Sequence, residues 1–215
     1  MTKLVVFDMD GVLADVDSSW VFVHRKFGVN NDHSLHAYLR GEIDDREFIR
    51  RDIELWREKD PGITREVIRK MLDDAPLMNG AEETVSTLKE AGHRTVIVSA
   101  GIDLLSERIC QQLDMDMQFA NGLGTDAHDR LSGEGILRVR LMDKGNTVTE
   151  TARRLGIGQK DIVSVGNSRY DVTMFEASSL GIAFSPEDEE VRARADIVVE
   201  GRDLRRILDH IDDVR

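Results

Sequence analysis

Apolar residues gather in five short runs: Leu4 to Phe7, Thr95 to Val98, Ile162 to Val165, Leu180 to Phe184 and Ile197 to Val199. Each has the length of a strand buried on both faces, as in a parallel sheet covered by helices. Helical periodicity fills the intervals between the later runs, with Leu104, Leu105, Ile109 and Leu113 on one face and then Val148, Ala152 and Leu155 on another. Residues 79–93 predict a further helix, with Asn79 as N-cap, Ala81, Val85 and Leu88 on its apolar face and Gly92 as its stop. This alternation predicts an α/β fold built on a doubly wound parallel sheet.

Two stretches break the alternation. From Asp15 to Met78 there is no strand-like run, only charged amphipathic patterning (Phe22, Val23, Phe27; Phe48, Ile49, Ile53; Val67, Ile68, Leu72), which predicts a helical insertion. The second stretch, Gln118 to Arg140, is punctuated by glycine and ends in the alternating Gly135, Ile136, Leu137, Arg138 and Val139, which predicts a small hairpin.

Composition narrows the function. Across 215 residues the net charge is −12, which repels phosphate backbones and anionic headgroups and argues against a nucleic-acid or membrane-surface partner. Cys110 is the one cysteine, so neither an internal disulfide nor a cysteine zinc site can form, and a reducing cytoplasm is the expected setting. The apolar runs fall far short of the ~20 residues that span a bilayer. The amino terminus lacks a signal-peptide layout.

In a parallel sheet, ligands bind beyond the carboxyl ends of the strands. The first run ends in Asp8-Met9-Asp10-Gly11, the second in Ser99-Ala100-Gly101 and the third in Gly166-Asn167-Ser168-Arg169-Tyr170-Asp171. Lys144, one of only seven lysines, opens the helix before the third. Asp8 and Asp10 are two residues apart and share a face, where they repel unless a cation or a proton lies between them. With the Asp171 carboxylate and the Asn167 amide oxygen nearby, a hard ion such as magnesium suits this set. Ser99, the backbone amides around Gly11 and Gly101, and Lys144 supply donors for a phosphate. Taken singly, the same residues read as turn formers, a capping serine and a solvated lysine.

The ordered pattern Asp8-x-Asp10-Gly11, Ser99, Lys144 and Gly166-Asn167-x-x-x-Asp171 resembles the haloacid dehalogenase-like hydrolases, in particular their phosphoserine phosphatase branch. Gly80-Ala81-Glu82-Glu83-Thr84, Phe119-Ala120-Asn121 and Arg202-Asp203-Leu204-Arg205 extend the likeness along the chain. The resemblance implies a Rossmann-like core, residues 1–14 and 79–215 with a hairpin at about 118–140, and a helical cap, residues 15–78. It implies Asp8 as nucleophile and Asp10 as acid and base. Gly11, Ser99, Ala100, Gly101 and Lys144 would bind the phosphoryl group, and Asp8, Asp10, Asn167 and Asp171 would hold Mg2+. The expected protein is a magnesium-dependent phosphomonoester hydrolase working through an aspartyl phosphate, with phosphoserine the favoured small-metabolite partner and a monomeric or homodimeric state. A phosphatase or phosphotransferase for another phosphorylated metabolite, or a phosphate-binding homologue, are the alternatives.

Several positions depart from the family pattern. Asn167 stands where the family has a metal-binding aspartate, Tyr170 where it has asparagine, and Ala100 where it has glycine. In the cap, Asp17 matches a glutamate that holds the substrate's amino group. The arginine that holds its carboxylate falls at or next to Leu55, with Arg51 and Arg57 close by and Phe48 on the same predicted helix; Phe48, Arg51 and Arg57 are therefore the expected substrate contacts beside Asp17. His33 and His36 read as surface residues, and Glu187 to Glu190 as a solvated helix start.

Overall fold

The computed structural model describes residues 2–211. Among these, seven strands form one sheet in the order β4-β3-β2-β1-β5-β6-β7. The strands are β1 (Leu4–Phe7), β2 (Arg94–Ile102), β3 (Met117–Thr125), β4 (Leu131–Ile136), β5 (Ile162–Gly166), β6 (Leu180–Phe184) and β7 (Ile197–Val199). Every pairing is parallel except that of β3 with β4. The central strand, β1, pairs on both sides, Leu4 with Arg94 and with Ile162. All four of its residues are fully buried. Val5 and Phe7 belong to one apolar cluster and Leu4 and Val6 to another, so the two-residue alternation of a strand feeds a core on each face of the sheet. Burial on this scale stabilises by roughly 1.5–3 kcal/mol per large side chain.

The five predicted strands are present, with β2 running on through Ser99, Ala100 and Gly101 to Ile102. The hairpin expected at 118–140 is present but is no appendage. Met117 to Phe119 pair in parallel with Val96 to Val98 before the strand turns antiparallel against β4. Met117–Phe119 are only partly buried at this side of the sheet and interrupted by Gln118, so they lack the unbroken apolar signature of the other parallel strands. The helix predicted at 79–93 is α5 (Ala81–Glu90), and its N-cap is Gly80, not Asn79. The Asn79 carbonyl instead accepts a hydrogen bond from the backbone of Leu204.

Residues 15–78 contain four helices and no strand: α1 (Ser19–Phe27), α2 (Asp32–Leu39), α3 (Asp45–Lys59) and α4 (Arg65–Leu72). Side-chain oxygens cap three of them, Ser18 on Val21 N, Asp44 on Glu47 N and Thr64 on Val67 N, replacing orphan donors of the first turn. Their common centre is aromatic: Trp56 stacks on Trp20 at 5.6 Å between centroids and on Phe27 at 6.4 Å. The helices are tied to the β3–β4 hairpin by Leu131 N donating to Ile63 O at 2.9 Å and Arg65 N to Asp129 O at 3.0 Å. The remaining helices, α6 (Asp103–Gln112), α7 (Lys144–Leu155), α8 (Val172–Glu176) and α9 (Glu189–Arg194), complete the layers against the sheet.

Candidate active site

A cavity of about 200 Å³ lies between the carboxyl ends of the strands and the helices of residues 15–78. Asp8, Asp10, Ser99, Ala100, Gly101, Lys144 and Asn167 line its sheet end, so motifs spread over 160 residues of sequence converge at one place. Asp8 follows β1 directly and is 4% exposed; its backbone amide bonds to Val165 O at 2.9 Å, which fixes it against β5.

One buried ammonium serves two carboxylates here. Lys144 Nζ lies 3.0 Å from Asp8 Oδ1 and 2.7 Å from Asp171 Oδ1. Burial works against the Lys144 charge, yet Asp171 and then Asp8 hold its pKa well above the ordinary lysine value. Asp8 is pushed up to about 7, by burial first and then by the Asp171 charge, against the pull of Lys144. Asp10 is also raised by burial, although Ser19 counters it by donating from both N (2.8 Å) and Oγ (2.9 Å) to Oδ2.

Asp171 was expected to ligate a metal, but it does not line the cavity. Its Oδ2 accepts from Asn167 N at 2.9 Å, Ser168 N at 3.0 Å and Ser168 Oγ at 3.3 Å, while Oδ1 is taken by Lys144. Both of its oxygens are engaged, Oδ2 in shaping the turn and Oδ1 in holding the lysine. Gly11 also stays behind the wall. Its φ of 78° is the left-handed turn that returns the chain, and a Cβ there would stand 2.1 Å from Asn167 Nδ2, so its lack of a side chain seats the amide.

The cap arginines are placed elsewhere. Arg51 pairs with Glu47 at 2.7 Å and Arg57 with Glu54 at 2.6 Å, both off the cavity. Helical rotation of 100° per residue explains this: α3 turns Asp45, Phe48, Ile49 and Asp52 inward, which carries Arg51 and Arg57 away. Asp17 and Phe48 do line the cavity, with Asp17 at its mouth paired to Arg25 at 2.7 Å. Residues that sequence reasoning missed are Ser19, which orients Asp10, and Asp45, Asp52, Asn121 and Glu187. The inward row Asp45, Phe48, Ile49, Asp52 has the i, i+3, i+4, i+7 spacing of a helix face and was readable as such. Glu187 precedes α9 rather than belonging to it, and its Oε1 accepts from Asn167 Nδ2 at 3.0 Å.

The donor set can be tested for a cation. Asp8 Oδ1 and Asp10 Oδ1 are buried and accept no hydrogen bond, although the first is ion-paired. Asp8, Asp10 and Asp171 face a single ammonium, which leaves two negative charges when all three are ionised. A divalent cation supplies that compensation. Among the described residues no three His, Cys, Asp or Glu side chains converge tightly enough to hold an ion by themselves, so an amide or carbonyl oxygen must contribute. Asn167 meets this need: a carboxylate at Nδ2 identifies that atom as the NH2 group and leaves Oδ1 as the acceptor.

A family model for the haloacid dehalogenase-like hydrolases matches residues 5–176, which includes all four motifs. The chain belongs to the haloacid dehalogenase-like hydrolases. Its relatives place it in the phosphoserine phosphatase branch. It is 30% identical to a phosphoserine phosphatase of Methanocaldococcus jannaschii over 97% of both chains. It is 32% identical to one of Archaeoglobus fulgidus over 86% of this chain, where it spans only 53% of the relative. A solved structure described as a phospho-aspartyl intermediate analogue of phosphoserine phosphatase superposes with a TM-score of 0.83 at 29% identity, covering 98% of this chain and 99% of that one. The chain is thus a phosphatase by family, and the geometry above belongs to a hydrolase of phosphate esters. Among the described residues no helix is long and apolar enough to cross a membrane.

Proposed function

We propose that the protein is a magnesium-dependent phosphoserine phosphatase acting through an aspartyl phosphate. The observation that carries this reading is the nucleophile's setting: Asp8 buried at the end of the central strand, facing the cavity, with the Lys144 ammonium at 3.0 Å. Residues 15–78 act as a cap over a core formed by residues 1–14 and 79–215, and the small cavity between them suits a metabolite rather than a polymer.

A carboxylate oxygen of Asp8 attacks phosphorus, the bond from phosphorus to the leaving oxygen breaks, and Asp10 gives that oxygen its proton. Burial raises the Asp10 pKa, which favours the protonated form this step uses, and the two Ser19 hydrogen bonds hold Oδ2 and leave Oδ1 without a hydrogen-bond partner. Asp10 then takes a proton from the water that cleaves the phosphoenzyme, which frees Asp8 and releases phosphate. Lys144 and Ser99 steady the phosphoryl oxygens, and Asp171 keeps Lys144 in place. Asp8, a main-chain oxygen near Asp10, and Asn167 would hold Mg2+, which supplies positive charge against the substrate's phosphate.

The test is release of inorganic phosphate from O-phosphoserine in the presence of Mg2+, together with mass-spectrometric detection of phosphate on Asp8. Asp8→Asn is expected to abolish both while leaving the circular dichroism unchanged; persistent turnover in that variant would overturn the mechanism.

A further inference from the structure

The end of the cavity away from Lys144 is acidic and contains no guanidinium. Among the described residues lining the whole cavity are six carboxylates, and Lys144 is the one cation. Lys144 is committed to Asp8 and Asp171. Arg25, at the mouth, is turned onto Asp17 and is not part of the lining.

Asp52 is the centre of this recess. It is 2% exposed and both of its oxygens accept from Asn31 Nδ2, at 3.1 and 3.2 Å. Its other polar neighbour is His24, whose Nε2 is 3.6 Å away and has no hydrogen-bond partner. Trp56 Nε1 donates to His24 Nδ1 at 2.7 Å, so that nitrogen carries no proton and the imidazole is neutral. The Asp52 carboxyl is therefore buried among neutral donors, an arrangement that penalises its charged form and raises its pKa in the empty protein, and a cation arriving from the cavity would offset that penalty. Trp20 and Phe48 line the same cavity and put aromatic rings beside the path of an ammonium. Asp45, one turn before Phe48 and Ile49, is satisfied by the Tyr38 hydroxyl (3.0 Å) and Leu141 N (2.9 Å) and adds further negative potential.

We propose that this recess, with Asp52 at its base, selects phosphomonoesters by a cationic amine on the alcohol portion, and that a carboxylate on the substrate has no cationic side chain to pair with there. The inference rests on the phosphatase reading for the position of the phosphate and sharpens it. Phosphoserine is recognised through its ammonium group, and amino-alcohol phosphates that lack the carboxylate are equal or better substrates.

A panel on the unaltered protein tests this directly: O-phosphoserine, O-phosphoethanolamine, 2-phosphoglycolate and glycerol 1-phosphate. The expected kcat/KM for O-phosphoethanolamine equals or exceeds that for O-phosphoserine, and 2-phosphoglycolate falls at least about tenfold below both, the equivalent of one ~1.4 kcal/mol contact. Asp52→Asn is expected to cut the preference for O-phosphoethanolamine over glycerol 1-phosphate by about tenfold, mainly through KM. Preference for O-phosphoserine over O-phosphoethanolamine by tenfold or more, or for 2-phosphoglycolate over the amine, overturns the proposal. Calorimetry on Asp8→Asn with O-phosphoethanolamine and 2-phosphoglycolate separates the two readings. Tighter binding of the amine by that variant, together with no hydrolysis of any of the four esters by the unaltered protein, supports the recess and removes the proposed reaction. Hydrolysis by the unaltered protein, with equal or tighter binding of the carboxylate ester by Asp8→Asn, does the reverse.

Discussion

The two ends of the cavity handle buried charge in opposite ways. At the sheet end, carboxylates and an ammonium are packed within 3.0 Å of one another, each held by a strand end or a helix start. In the recess among the helices, Asp52 has only neutral partners. The first arrangement is internally paired yet still short of positive charge, and the second is unpaired. A cationic amine would meet the deficit of the recess directly, whereas an anionic phosphate would be drawn to the sheet end only where a divalent cation and Lys144 outweigh the carboxylates there; under the proposed function, the cavity loaded with that cation would have opposite polarity at its two ends.

Breaking the pairing at the sheet end should have the largest effect. Lys144→Met leaves Asp8 and Asp171 facing each other without their shared ammonium; activity is expected to vanish and stability to fall by about 3–5 kcal/mol, read by urea denaturation. A loss of activity with unchanged stability would mean that the pairing is not what organises this end.

The shortage of positive charge gives a second, intermediate effect. Asn167→Asp combined with Glu187→Gln puts a carboxylate in the amide's place and removes the like charge that would face it. Mg2+ affinity, measured by calorimetry, is expected to tighten about tenfold, or ~1.4 kcal/mol. Asn167→Asp alone should gain less, because Glu187 lies within hydrogen-bond range of the new carboxylate.

The smallest effect is on pH dependence. The Asp8 pKa in the folded protein is about 7 against 3.8 for the free side chain, so between these values the folded state holds a proton that the unfolded state has lost. Stability from this group therefore falls as pH rises from about 4 to about 7. In chelator, the melting temperature is expected to drop between about pH 4 and about pH 7, and added Mg2+ to raise it more at the higher pH. At ~2–4 °C per kcal/mol, differential scanning calorimetry resolves the difference. A Mg2+ shift that is flat with pH would place the cation away from Asp8.

Much of this was legible in the sequence, and for a physical reason. Strands buried on both faces cannot hide their composition, and the residues that end them are constrained to one rim of the sheet, so Asp8, Ser99 and Asn167 could be brought together from spacing alone. The helical insertion was legible as a class but not in its rotation. Asp52 and Arg51 are neighbours in sequence and point in different directions, and the choice between them was made by packing around Trp56. Glu187 was hidden for another reason: in an acidic run it looked like solvated helix start, and only the loop after β6 brings it to Asn167. The sixth parallel strand, β3, was obscured because it changes partner direction midway along its length.

The contact of the hairpin with α3 bears on modularity. Gly135 in β4 lies so close to Ile49 that a Cβ would come within 2.1 Å of its side chain, and Ile49 is next to Phe48 on the face that lines the cavity. The helices of residues 15–78 and the hairpin are thus fitted to each other beside the cavity. A cap transplanted from a relative without its own hairpin would lose the surface on which α3 rests, so specificity in this scaffold is inherited by two separated stretches of chain together, and recombination that splits them should scramble it.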